Sequence, residues 1–303
     1  MKKIAENENF KSGTAVIVAR PNVGKSTLLN KILGQKVAIT SPVKQTTRKK
    51  LKGIYTDSTC QIILIDTPGI HKPVNELGNY LSNQSKSALE DADLILFLVD
   101  ATDMQGAGDK WIYENYLKNV KTPILLVANK VDLIKDLEKR ELNIFSYKKM
   151  FEKNIDTIKI SAKTGRNIDD LMDKIKSYMP YGEKLYDDDI VSDTTMRETA
   201  SEIIREKIIL NTKDEVPHSV AVKIEDYKEF EDIDKIYAKI IVNSESQKGI
   251  IIGKKGSMLQ TIGKSARLEL EKMLDKKVYL EINVKTQKNW LKDKIAIKNL
   301  GYN

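Results

Sequence analysis

Lys25 and Ser26 directly follow Gly24 in the run Ala19-Arg20-Pro21-Asn22-Val23-Gly24-Lys25-Ser26. Residues of these types in this order suit phosphate chemistry. Gly24 has no side chain to keep a bent backbone away from an anion, so successive N–H groups from Arg20 to Gly24 can converge on phosphate oxygens. Lys25 is placed to reach outer phosphates, and Ser26 offers a hydroxyl to magnesium. A helix opening at Ser26-Thr27 would add its positive end. At position 19, where such loops usually carry a first glycine, the chain has Ala; its methyl fits if the local φ is negative.

Three later segments extend this chemistry, each placed after an apolar run that reads as a strand. Asp66-Thr67-Pro68-Gly69 supplies a carboxylate that can hold magnesium through a water, and a Gly69 N–H that can sense a terminal phosphate. Asn129-Lys130-Val131-Asp132 ends in a carboxylate that can accept both the N1–H and the exocyclic amine of guanine. Adenine offers no such pair of donors, so Asp132 selects GTP over ATP. Ser161-Ala162-Lys163 is placed to meet the guanine oxygen through the Ala162 N–H. Ile70 follows Gly69, where signalling GTPases often carry a water-orienting glutamine, and it can neither donate nor accept a hydrogen bond. Next to it, His71 would titrate near neutrality, but it reads as a loop-surface residue rather than a base.

A second chemistry is written near the other end. Gly253-Lys254-Lys255-Gly256 pairs two glycines, which let a loop lie close to a sugar–phosphate chain, with two lysines where phosphates would pass. Ile250, Ile251, Ile252 and Ile262 are expected to wall a groove for unstacked bases, and Lys264 and Arg267 to extend the positive surface. No aromatic pair accompanies the loop, so bases would be read by hydrogen bonds and apolar contact. Charge supports this placement. Residues 181–247 hold 9 Lys or Arg against 17 Asp or Glu, whereas residues 248–303 hold 13 against 5.

The elements needed to position these residues are legible. Residues 14–18, 51–57, 60–65, 94–99, 123–128 and 157–160 read as strands. Helical patterns at 26–33, 76–90, 109–119, 136–149 and 168–178 separate most of them, which implies an α/β unit with a mostly parallel sheet and one antiparallel edge from the 51–65 hairpin. Pro180-Tyr181-Gly182 ends that unit, and residues 181–193, with Asp187-Asp188-Asp189, read as a linker. From 194 the order reads α-β-β-α-α-β: a helix to about 211, a strand led by Pro217, a strand at 236–242, an apolar Ile250–Ile252 strand or turn before the glycines, helices from 257 and 264, and a strand at 278–284. An amphipathic tail at 288–299 carries Trp290, read as a packing residue. The domains are thus 1–180, a linker 181–193, and 194–303. The chain has 303 residues, 41% of them hydrophobic, and a formal net charge of +8. That composition supports two packed cores and favours an anionic partner. The lone Cys60 excludes an intrachain disulfide and reads as a buried thiol. No apolar stretch is long enough to span a membrane, and the start lacks a signal-peptide core, so a cytoplasmic monomer is expected.

Taken together, the segments resemble the translation-factor-related class of small GTPases. Arg20-Pro21-Asn22-Val23-Gly24-Lys25-Ser26-Thr27-Leu28-Leu29-Asn30-Lys31, Gln45-Thr46-Thr47-Arg48 and Ser201-Glu202-Ile203-Ile204-Arg205-Glu206-Lys207 are similar to the bacterial ribosome-assembly GTPases that end in a KH domain of the prokaryotic type. The likeness runs from about residue 13 to Tyr302. It implies a GTP hydrolase using Mg2+ and cycling between GTP and GDP, with a first switch at roughly 36–50. Thr47 is its metal-binding threonine in that reading, with Thr46 as the alternative. The likeness makes Lys25, Ser26, Thr47, Asp66 and Gly69 the catalytic set, and a hydrophobic residue at the Ile70 position its norm. The water is then oriented by switch backbone or by K+, for which Asn22 is the candidate by analogy. The implied partner is small-subunit ribosomal RNA near its 3′ end, during small-subunit assembly, with peripheral contact at the inner face of the cell membrane. A nucleotide-gated checkpoint with incidental hydrolysis is the competing reading, and intact Lys25, Ser26, Thr47 and Asp66 weigh against it.

Overall fold

A computed structural model describes residues 9–41, 47–70 and 72–302. The chain forms two compact units, one built mainly from residues up to Asp193 and the other mainly from Thr194 onward.

In the first unit, β1 (Lys11–Val18) leads through the glycine turn into α1 (Lys25–Leu33), and a hairpin of β2 (Leu51–Thr56) and β3 (Cys60–Asp66) follows. Then come α2 (Glu76–Glu90), β4 (Leu94–Asp100), α3 (Ala107–Ile112) with a π-helical turn at Tyr113–Leu117, β5 (Ile124–Asn129), α4 (Leu137–Lys148), β6 (Thr157–Lys159) and α5 (Ile168–Tyr178). The sheet order is β2-β3-β1-β4-β5-β6, parallel except for β2. The central strands are apolar at nearly every position because both faces are covered. Ala15 and Ile17 pack into one core cluster, while Val16 and Val18 pack into the other. Parallel strands so arranged bring their carboxyl ends, and the loops that follow them, to one edge of the sheet. The Asp57 carboxylate shapes the β2–β3 turn, accepting the N–H groups of Thr59 and Cys60 and the Thr59 hydroxyl. Cys60 is buried, and burial pushes its thiol up to about 11.

Residues 181–193 differ from the expected linker. They form a strap along the first unit. Gln61, fully buried on β3, accepts the N–H groups of Leu185 and Tyr186 and donates to the Tyr186 carbonyl. Tyr181 bridges to Lys11, and Ser192 to Gly53. The acidic run carries no apolar periodicity, and its attachment runs through contacts to distant strands, the buried glutamine among them.

The second unit contains α6 (Met196–Asn211), α7 (Val216–Ser219), β7 (Ala221–Glu229), β8 (Ile233–Val242), α8 (Glu245–Ile252), α9 (Ser257–Leu274), β9 (Lys277–Thr286) and α10 (Lys294–Asn299). Thr195 and Glu198 close a capping box at α6, and Ser244 caps α8. β7 pairs antiparallel with β8, and β9 lies parallel to it. Ile236, Ala238 and Ile240 face a core completed by Ile204 and Ile208 of α6 and Ile262, Ala266 and Leu270 of α9. Three local expectations change. Pro217 sits in the short α7 rather than leading a strand, consistent with its tolerance in a first helical turn. Ile250–Ile252 end a helix rather than forming a strand, and the two helices expected after the glycines are the single α9. Trp290 is fully buried and donates Nε1–H to the Ser219 carbonyl, as a packing residue does. Among the described residues, no helix is long and apolar enough to cross a membrane.

Candidate nucleotide and RNA sites

Between β1 and α1 the chain takes φ +66° at Asn22 and +103° at Gly24. A Cβ at Gly24 would lie 2.5 Å from the Asn129 amide nitrogen, so glycine is required twice over, by conformation and by space. Ala19 is buried outside the positive-φ region, and its methyl is accommodated. Helix α1 begins at Lys25, which points the amide-bearing end of the helix at the loop.

Opposite the loop, three side chains meet. Ser26 Oγ donates to Asp66 Oδ2 at 2.9 Å and lies 3.1 Å from Thr47 Oγ1, which donates to the same carboxylate oxygen at 3.3 Å. Asp66 Oδ1 is buried, with no hydrogen-bond partner among the described residues. An all-oxygen set of two hydroxyls and one carboxylate with an unsatisfied oxygen suits a hard cation that keeps some of its waters, which is the behaviour of magnesium. Burial pushes the Asp66 carboxyl upward, against the pull of Lys25, Ser26 and Thr47. Burial likewise lowers the Lys25 ammonium, while Asp66 draws it back. Such a dry pocket favours ligands that bring compensating charge of both signs. Thr46 and His71 lie outside the described residues.

The remaining nucleotide candidates divide by task. Asn129 donates to the Val23 carbonyl at 2.8 Å and accepts the Ala162 N–H at 2.9 Å. The Ala162 amide, expected to donate to guanine, therefore bonds within the protein. Lys130 donates to the Asn22 carbonyl at 2.8 Å and Asp100 Oδ2 at 2.7 Å, tying β4 and β5 to the phosphate loop. Burial alone would raise the Asp100 carboxyl, but the bonds from Lys130 and Thr102 hold it below its ordinary value. Thr67 is buried, with its hydroxyl on the Ile17 carbonyl, and the Ser161 hydroxyl accepts the Thr164 N–H. These two shape the pocket without facing it. Asp132 and Lys163 are exposed at the ends of the two loops. Pro68 and Gly69 are buried, and a Cβ at Gly69 would stand 3.1 Å from Pro21. Ile70 packs into the core, and its N–H bonds the Ala19 carbonyl at 3.0 Å. Arg20 leads away from the loop toward Asp109 on α3.

In the second unit the glycine pair lies between α8 and α9. Gly253 has φ +72°, Lys255 +51° and Gly256 +81°. A Cβ on Gly253 would come within 2.8 Å of the Met258 backbone nitrogen, so this position admits only glycine. Lys254 and Lys255 are exposed on the turn, as are Lys264 and Arg267 along α9. Arg267 stands roughly 16 Å beyond Gly256 at a helical rise of about 1.5 Å per residue, beside Ile233, Lys277 and Tyr279. It lies farther along α9 from the glycine turn than Lys264 does. Ile251 and Ile262 are fully buried in the core and wall no groove; half-exposed Ile250 and partly buried Ile252 are the apolar residues presented beside the glycines. Helical spacing, which the isoleucine run conceals, decides which of them turn inward.

Comparison with known proteins gives these geometries a context. Residues 14–130 match the family model described as 50S ribosome-binding GTPase, and residues 215–291 match the KH domain. The chain is 46% identical to GTPase Era of Ruminiclostridium cellulolyticum over 97% of its own length and 98% of the relative's. It also matches a crystal structure of Era in complex with MgGDPNP and nucleotides 1506–1542 of 16S ribosomal RNA, at 41% identity and a TM-score of 0.94, covering 97% of this chain and 99% of that one. A crystal structure of a variant Aquifex aeolicus Era bound to GDP and AlF4− matches at 41% identity and a TM-score of 0.93, with the same coverage.

Proposed function

The chain belongs to the Era family of GTPases, and on that premise we propose that it hydrolyses GTP in its first unit and holds small-subunit ribosomal RNA near its 3′ end with its second, coupling the nucleotide cycle to small-subunit assembly. The observation that carries the enzymatic half is the convergence of Ser26, Thr47 and Asp66 beside Lys25 and the Gly24 turn. We assign nucleotide chemistry to residues 1–180 and RNA binding to residues 194–303.

In hydrolysis, water attacks the γ-phosphorus as the bond to the bridging β–γ oxygen breaks, and negative charge moves toward the β-phosphate. The loop amides from Arg20 to Gly24 and the N-terminus of α1 cradle that charge, and Lys25 neutralises it. Ser26, Thr47 and Asp66 are the residues that would hold magnesium, which supplies further charge neutralisation on the phosphate oxygens when bound. Gly69 meets the γ-phosphate through its N–H. Asp132 receives the guanine N1–H and amine. Because Ile70 is turned into the core, no side chain at that position orients the water, and slow intrinsic turnover follows. RNA or the ribosomal subunit then has scope to accelerate it. In the second unit, the glycine turn lets RNA backbone pass beside Lys254 and Lys255, while Ile250 and Ile252 offer apolar contact to bases.

Phosphate release from GTP and ATP, with and without a single-stranded oligoribonucleotide of the small-subunit 3′ end, tests both halves. Turnover of GTP alone, quickened by the RNA, is expected. Equal affinity for ATP would overturn the guanine assignment, and no RNA binding would overturn the second half.

A further inference from the structure

Arg20 and Asp109 form a contact that no sequence motif announces. Asp109, in the first turn of α3, is fully buried. Its Oδ2 accepts the Gly106 N–H at 2.9 Å and so closes the start of that helix. Among the described residues its Oδ1 has no hydrogen-bond partner; it faces Arg20 Nε, which likewise has none, at 3.5 Å. A buried carboxylate with a bare oxygen is costly unless an opposite charge compensates it, and Arg20 provides that charge. Burial pushes the Asp109 carboxyl above its ordinary value, and the Gly106 bond and the guanidinium draw it back.

The residues on either side of Arg20 explain what this contact controls. The Ala19 carbonyl accepts the Ile70 N–H, and Pro21 lies against Gly69 so closely that a Cβ there would be 3.1 Å from it. Residues 19–21 are therefore the wall on which the Gly69–Ile70 turn rests. The other end of the loop has its own anchor, Asn129 on the Val23 carbonyl. The phosphate loop is thus held at two points, one beside the cradle of amides and one behind the turn that meets the terminal phosphate.

We propose that Asp109 is a positioning residue for GTP hydrolysis, acting through Arg20 to hold residues 19–21 and with them the Gly69–Ile70 turn. This rests on the GTPase reading above. Hydrolysis depends on the placement of that turn to within an ångström, whereas tight binding draws mostly on the amide cradle, Lys25 and the guanine pocket. Loss of the contact should therefore slow the chemical step more than it weakens binding.

Asp109→Asn keeps the size of the side chain and an oxygen for the Gly106 N–H while removing the charge. Arg20→Gln removes the other partner, and Arg20→Lys restores charge without the same reach. Single-turnover hydrolysis, equilibrium affinity for GTP and GDP, and thermal stability are measured for each, and for the Asp109→Asn/Arg20→Gln pair. We expect Asp109→Asn and Arg20→Gln each to lose roughly ten-fold in rate, as sub-ångström misplacement near a reacting centre can cost. Nucleotide affinity should change by less than about three-fold. The double variant should be no slower than the slower single one, because either change already breaks the contact, and Arg20→Lys should recover part of the rate. Unchanged hydrolysis in a folded Asp109→Asn protein would overturn the proposal. So would losses of rate, affinity and stability in proportion, or additive losses in the pair. A wild-type protein inert toward GTP would instead overturn the enzymatic reading on which the proposal depends.

Discussion

At the scale of single residues, the site separates exposed groups proposed to meet the nucleotide from groups bonded within the protein. Asp132 is exposed at the end of its loop, whereas neighbouring Asn129 and Lys130 are bonded to the phosphate loop. Base preference should therefore reside in the carboxylate alone. Asp132→Asn is expected to weaken GTP binding and favour xanthosine triphosphate, whose ring carries an oxygen in place of the amine; competition binding measures the shift. Unchanged preference in that variant would refute the assignment. Lys25 occupies a buried position with Asp66 as the adjacent countercharge. Lys25→Ala should cut hydrolysis by roughly a hundred-fold or more and weaken triphosphate binding, while the second unit keeps its fold by circular dichroism of the variant. Retention of normal phosphate release would remove Lys25 from the mechanism. Asp132 was legible as a candidate because it is the last residue of a segment ending a strand. The true partner of the Ala162 N–H was not, because it depends on which way a side chain on a neighbouring strand turns.

At the scale of elements, the β2–β3 hairpin and the strap behind it depend on two polar side chains. Asp57 accepts three bonds within the turn and pairs with Lys176 at 2.6 Å. Burial works to raise its carboxyl, but the Lys176 and Thr59 bonds prevail and hold it far below the ordinary carboxylate range. A carboxylate depressed in the folded state binds protons more readily when unfolded. Its stabilisation is then present above the unfolded value of about pH 4 and is lost as pH falls toward the folded value. Asp57→Asn should lower stability at neutral pH, with the difference from wild type shrinking as denaturation is measured at progressively more acidic pH. A difference that stays constant with pH would mean that the charge is immaterial. Gln61→Leu would leave the Leu185 and Tyr186 N–H groups without their acceptor; Leu185 is exposed, so water can replace part of the loss, and each bond removed should cost about 0.5–1.5 kcal/mol. Protease nicking within residues 183–190 should appear in this variant under conditions that spare the wild type. The order of strands and helices was readable from periodicity, since central strands buried on both faces are continuous apolar runs. The strap was not, because nothing periodic marks it.

At the scale of the whole molecule, each unit has its own core, and the proposed function gives the two anionic ligands to different units. Changing both Lys254 and Lys255 to Asp should weaken binding of a single-stranded RNA across many sequences. It should also reduce the salt slope of log affinity by about two, one for each lost phosphate contact. GTP hydrolysis without RNA should stay near the wild-type rate. Filter binding at several salt concentrations checks the first outcome and phosphate release the second. An unaltered slope would move the RNA face elsewhere, most plainly to the lysine-bearing tail from Lys285 to Lys298.

The sequence by itself determined the kind of chemistry, because that chemistry depends on local backbone shape. Gly24, Gly253 and Gly256 adopt positive φ, Lys25 and Ser26 follow their glycine directly, and a parallel strand delivers the loop after it to one edge of the sheet. Only the tertiary structure decided how those loops are held. Arg20 reaches Asp109 across 89 positions of chain, Lys130 turns back to Asn22, and Gln61 fastens a strap more than a hundred residues away. It also decided that Ile251 and Ile262 serve the core while Ile250 faces solvent. These are contacts between side chains distant in sequence, set by how the layers pack. Local periodicity carries no information about which partner a buried charge or amide will find.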